Sequence, residues 1–144
     1  MRDIKFRVWD IKNSAYFKFN EYVESFSVFD LVNDEACFFG DCITGRHDEF
    51  ILEQFTGLTD KNGKEIYEGD ILNCHRFYFD GYSESEEEFN SMIEYNQNHC
   101  AFMVIGGKCD DDDSFVHLLS DFLSSDPKGI EIIGNIHQNS DLLK

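Results

Sequence analysis

The chain has 144 residues and a formal net charge of −17, from 29 Asp and Glu against 12 Lys and Arg. Hydrophobic residues make up 42% of it, fifteen of them Phe, enough for the core of a single domain. No apolar run approaches the roughly 18 residues of a spanning helix, and direct binding of DNA or RNA through the acidic part of the surface is disfavoured, while the basic N-terminal edge could still touch an anion.

Residues 4–9 alternate Ile4, Phe6 and Val8 with Lys5, Arg7 and Trp9, the period-two pattern of a half-buried strand. Asn13-Ser14 predicts a turn into a second strand over residues 15–19. Residues 22–32 read either way: Val23, Phe26 and Phe29 have helical spacing, while the β-branched and aromatic content permits a strand. Residues 49–55 predict a strand, followed by a loop and a hairpin tip at Asn62-Gly63. A type I′ turn there needs positive φ at both central residues. Gly69-Asp70 suits a sharp bend into a long aromatic strand over 71–79.

From residue 80 to 90 the chain is polar and acidic with no apolar period, which predicts a loop. Residues 92–95 and 101–105 predict a hairpin around Asn96-Gln97-Asn98-His99, and Gly106-Gly107 with Asp110 to Asp113 another loop. Phe115, Leu118, Leu119, Phe122 and Leu123 fall at i, i+3, i+4, i+7 and i+8, one face of an amphipathic helix. Acids and Ser114 precede it as caps, and Pro127 and Gly129 end it. Residues 130–136 predict a last strand, central in its sheet because both faces are apolar for several residues. Together these give a mainly β (α+β) fold. It is a small, strongly bent β-sheet or SH3-like barrel with one packed helix near residues 114–125. The layout is a single domain over 1–144, with residues 15–49 a candidate N-terminal lobe.

The stretch from Gln54 to Ile71, QFTGLTDKNGKEIYEGDI, carries the most information. With Ile4 to Asp10 ending in Trp9-Asp10, and with the closing Ile130 to Ile136 followed by Ser140-Asp141-Leu142-Leu143, it resembles the YopX family. Phe55 stands where that family usually has Tyr, and Thr59 where Lys is common. The resemblance implies a small protein of phages and prophages of Gram-positive bacteria, and it supplies no catalytic set. Trp9, Gly57, Asn62, Gly63, Tyr67, Gly69, Asp70, Gly134 and Asn135 are expected to be architectural. Residues 20–49 and 80–126 match no pattern and are where a particular task would be encoded.

Chemical constellations are sparse. Asp110, Asp112, Ser114 and Asp121 have partial calcium-loop spacing, but Phe115 occupies the position that needs Gly. Cys74-His75 and His99-Cys100 are adjacent pairs, and adjacent strand residues point to opposite faces, so only one ligand from each could reach a common metal. No phosphate-binding, nucleophile-elbow or zinc-protease motif occurs. The expectation is a protein that is no enzyme and holds no metal or cofactor. Five Cys with no C-x-x-C pair read as reduced thiols, and no apolar segment follows the N-terminal Met-Arg-Asp-Ile-Lys. Both features predict a cytoplasmic location in a bacterial host.

Residues 80–126 hold twelve acids against one base, Lys108. Glu84, Glu86, Glu87 and Glu88, with Asp110, Asp111, Asp112 and Asp113, are the candidate partner-binding residues. One reading of the acidity is that it merely keeps a Phe-rich protein soluble. The functional reading set against it is a phage-encoded, non-enzymatic binding protein, an acidic inhibitor that occupies the basic surface of a host nucleic-acid-handling or defence protein. One alternative is a sponge for a nucleotide messenger, with aromatics for the base and Arg2, Arg7, Arg46 or Arg76 for phosphate. Another is a structural or regulatory oligomer, and the many Phe predict homo-oligomerisation in any case.

Overall fold

The computed structural model describes residues 3–16, 50–79, 81–106, 116–125 and 128–144. The expectations for residues 17–32, for Asp110 to Phe115 and for Pro127 lie outside the described residues, as do Arg2 and Arg46. The chain divides into two compact units, one of Phe6–Glu53 and one of Met1–Lys5 with Gln54–Lys144.

The first unit is built on strands β1 (Phe6–Asp10) and β2 (Ala15–Tyr16), with the start of β3 (Phe50–Thr59). β1 and β2 pair antiparallel, Trp9 opposite Tyr16. Asp10 makes the tight turn between them, its carboxylate accepting the Asn13 N–H at 2.8 Å, with Ser14 at φ 51°. Those hydrogen bonds hold the Asp10 carboxyl below its ordinary value. Val8 and Trp9 are both buried while Ile4 is exposed, so the simple alternation expected of 4–9 gives way. Trp9 packs edge-on against Tyr16 at 5.0 Å. Arg7 stacks on Tyr16 and bonds the buried Glu53 at 2.6 Å, and Tyr16 donates to the same oxygen at 3.0 Å.

The second unit contains the rest of β3, β4 (Glu65–Tyr67), β5 (Asp70–Phe79), β6 (Glu84–Asn96), β7 (Ala101–Gly106), β8 (Val116–Leu118), helix α1 (Leu119–Ser125) and β9 (Glu131–Asn135), then a 3-10 turn at Ser140–Leu143. β3 pairs with β4, and five strands form a second antiparallel sheet in the order β8-β7-β6-β5-β9. That sheet is strongly curled, a half-barrel, and the fold is small and β-rich. Its core gathers Ile66, Leu72, Cys74, Phe89, Ile93, Val104, Leu119, Phe122 and Ile130. Among the described residues no helix is long and apolar enough to cross a membrane.

Four expectations change. Residues 84–90 are a strand, not a loop: the long aromatic β5 supplies a partner for each of Glu84 to Asn90, and a ladder needs only that partner and one polar face. Residues 116–118 form an edge strand on β7 before the helix starts at Leu119, because β-branched Val116 and its neighbours gain a ladder there. Leu119 and Phe122 still face the core as the helical spacing required. β9 lies at the edge of its sheet, pairing with β5 alone among the described strands. Its residue Ile132 packs on the core through the curl of the sheet, and Ile130, just before the strand, is fully buried.

The hairpin tip is a three-residue loop rather than a two-residue type I′ turn. Gly63 N–H bonds Asp60 O, Asp60 N–H bonds Lys64 O, and only Gly63 takes positive φ, at 80°. This is a type I turn closed by a left-handed residue. Among the described residues, chain neighbours aside, nothing lies within 4 Å of a Cβ placed at Gly63. Gly63→Val should therefore cost about 1–2 kcal/mol through backbone strain alone, measured as a drop in denaturation midpoint.

Candidate functional site

Two groups of residues qualify, and they do different work. The first is the central motif. Gly57 at φ 88° sits in the bulge where the β3–β4 register slips, and Thr56 fills it, its hydroxyl donating to Ile66 O at 2.9 Å. Gly69 at φ 75° makes the corner, its N–H bonding Ile93 O and its carbonyl accepting from Ile136 N–H. Buried Asp70 accepts the Tyr67 N–H at 2.9 Å. The Tyr67 ring lies 5.4 Å from Phe55, and its hydroxyl donates to Glu65. Hydrogen bonds from Lys5 and Tyr67 hold the Glu65 carboxyl below its ordinary value.

Asp60, which sequence reasoning did not single out, ties the motif to the far end of the chain. Its carboxylate accepts the N–H groups of Asn62 (2.8 Å), Lys64 (2.9 Å) and, across the fold, Ile132 (3.2 Å). Lys61 N–H adds a bond to Ile130 O, and its ammonium pairs with Glu131 at 2.6 Å. The hairpin tip thus covers the outer edge of β9, which would otherwise present open backbone groups. Burial pushes the Asp60 carboxyl up, but the backbone bonds from Lys64, Ile132 and Asn62 outweigh it and hold it below its ordinary value. An Asp two residues before Asn-Gly was the available signal.

At the C-terminal end Asn135 Oδ1 accepts the N–H groups of His137 and Gln138, both at 3.0 Å, closing the turn after β9. Gly134 lies against Asn139, whose Oδ1 accepts the Asn135 N–H at 3.3 Å.

The second group is the acidic strand. On β6, Glu84, Glu86 and Glu88 point to the outer face, spaced about 6.8 Å apart along the strand. Opposite them on β5 stand Phe79, Phe77 and His75. Phe77 is 61% exposed beside Glu86, and Tyr82 in the connecting turn is 97% exposed. Glu86 pairs with Lys128, and Glu88 accepts from Asn73 Nδ2 at 2.9 Å. Glu87 points to the other face and takes Arg76 at 2.6 Å, the guanidinium lying over Phe89. Three of the eight predicted acids are therefore brought together, Glu87 is separated from them, and Asp110 to Asp113 lie outside the described residues. Phe77 was missed because its exposure follows from the β5–β6 register.

Cys74 is fully buried with Sγ 3.1 Å from Ser91 Oγ, whereas Cys100 is exposed in the β6–β7 turn at φ 49°. His99 Nδ1 lies 3.0 Å from Asn96 Oδ1 in the same turn. Among the described residues no three His, Cys, Asp or Glu are grouped to hold a metal ion.

The fold and the motif together define a small β-rich protein organised around a bulged hairpin that seals its own C-terminal strand. Residues 5–144 match the YopX protein family, and the chain belongs to it. The crystal structure of protein EF1440 from Enterococcus faecalis is similar in fold, with 24% identity, a TM-score of 0.52 and full coverage of both chains. No curated protein matches.

Proposed function

We propose that this is a phage- or prophage-encoded, non-enzymatic binding protein of the bacterial cytoplasm. It grips a basic surface of a host nucleic-acid-handling or defence protein through the outer face of the β5–β6 hairpin. The observation that supports this reading is the row Glu84, Glu86 and Glu88 beside exposed Phe77 on a paired strand. Held by a ladder, these carboxylates need little ordering on binding, and an apolar anchor inside a charged rim is the usual build of a hot spot. The nucleotide-sponge reading is weakened because Arg7 and Arg76 are both engaged by carboxylates. Self-association is the second reading, carried by exposed Ile133 on β9 and exposed Val116 and Leu118 on β8.

Affinity capture from host lysate would supply the partner, with native mass spectrometry of the chain alone reporting subunit number. Binding should be fast and weaken steeply with salt. The combined variant Glu84→Lys, Glu86→Lys, Glu88→Lys should lose about a hundredfold in affinity and flatten the salt slope, while Asp3→Lys changes little. Unchanged affinity and slope in the triple variant would sink the reading.

A further inference from the structure

Directly opposed residues of an antiparallel ladder share a face, and so do residues two apart on one strand. In the β6–β7 ladder Ile93 stands opposite Val104 and Tyr95 opposite Phe102, so all four lie on the core-facing side. Ile93 and Val104 are buried there, whereas Tyr95, one step further along, is 39% exposed. The core thus thins toward the β6–β7 turn, and a cavity of about 320 Å3 lies at that end. β3 contributes Gln54 and Thr56 to its wall, the β6–β7 hairpin Tyr95 and Phe102, and the start of α1 Leu119 and Ser120. None of its ten lining residues is Asp, Glu, Lys or Arg, although such residues make up 28% of the chain.

That wall offers two kinds of contact. The Tyr95 and Phe102 rings meet edge-on at 5.3 Å and supply aromatic surface. Gln54 is fixed at its backbone, its N–H donating to Glu68 Oε2 at 2.9 Å and its carbonyl accepting the Glu68 N–H at 3.0 Å. Among the described residues its side-chain amide makes no hydrogen bond, and neither do the Tyr95 and Ser120 hydroxyls. The Thr56 hydroxyl, by contrast, is engaged by Ile66 O. A Gln amide presents an acceptor beside a donor, the complement of a ring edge that carries the same two groups in reverse. We infer that this cavity takes an uncharged nucleobase, its ring against Tyr95 and Phe102 and its polar edge on Gln54. Stacking holds any base, and the amide contact selects among them. Phosphate gains nothing here, because no cation lines the cavity and the chain carries −17. The occupant is therefore a nucleoside rather than a nucleotide. The site lies at the opposite end of β6 from Glu84 and does not depend on the acidic row.

The test titrates the full chain with adenosine, guanosine, cytidine and uridine, each beside its 5′-monophosphate, and follows binding by ligand-observed NMR. At least one nucleoside should bind with a Kd at or below about 1 mM. Its monophosphate should bind about threefold or more weaker, through repulsion by the acidic chain. Gln54→Leu, which keeps the bulk and removes the amide, and Tyr95→Ala should each weaken that nucleoside about tenfold or more. Circular dichroism checks that both variants are folded. If either is not, Ser120→Trp replaces it, since it fills the cavity from an exposed position and should abolish binding. No nucleoside bound at about 1 mM overturns the inference. So does a monophosphate that binds as tightly as its nucleoside, or a folded variant of this set whose affinity is unchanged.

Discussion

Asp60→Ala should destabilise the protein by about 3–4 kcal/mol, the largest loss expected from any single polar substitution here. One carboxylate accepts three backbone N–H groups at 2.8, 2.9 and 3.2 Å, and its removal leaves three partly buried donors without their acceptor. The effect should not stop at the hairpin. Without the Ile132 bond the outer edge of β9 opens, and Ile130 and Ile132 loosen from the core they help to fill. Denaturant unfolding at neutral pH measures the loss. Acid titration identifies its cause, because the folded-state pKa of Asp60 lies below its unfolded value of 3.8. The charge contributes stability that is fully present above that unfolded value and is lost as pH falls through the lower folded value. The gap between wild type and Asp60→Ala should hold steady from pH 7 to 5 and narrow below about pH 3.8. A gap that stayed constant into strong acid would mean that the charge is not what holds the hairpin tip.

Gly134→Ala should cost about 2–3 kcal/mol, although only one methyl group is added. The new Cβ would lie 2.6 Å from Asn139 Oδ1 and 2.9 Å from Asn139 Cβ, so the whole side chain must move rather than just its tip. Asn139 Oδ1 accepts the Asn135 N–H, and Asn139 O accepts the Leu142 N–H that starts the 3-10 turn. Displacement would disturb that turn and the bond from Asn90 Nδ2 to Leu142 O at 2.9 Å. The measurement is a double-mutant cycle with Asn139→Gly. If the close approach is the cause, the double variant should be more stable than the sum of single effects predicts, by about 1 kcal/mol or more. Strict additivity would exclude the clash. Gly63→Val makes the contrast, since among the described residues nothing crowds that position and only its φ resists a side chain.

Family, β-rich class and the places of the main turns were all legible in the chain. Gly63 and Gly69 could be read as bends because positive φ selects Gly locally, whatever the rest of the fold does. The hairpin of β6 and β7 and the core-facing Leu119 and Phe122 followed from period and spacing, which are also local. Residues 84–88 were not legible as a strand. Their acids show no apolar period, and only the neighbouring β5, with Arg76 for Glu87 and Asn73 for Glu88, makes extension favourable there. Register alone decided that Phe77 stands exposed beside Glu86 and that Glu87 turns away from Glu84, Glu86 and Glu88, since a shift of one residue would exchange the two faces. The edge position of β9 was likewise a tertiary outcome, because Ile132 meets the core through sheet curvature and its open side meets Asp60, 72 residues away in sequence.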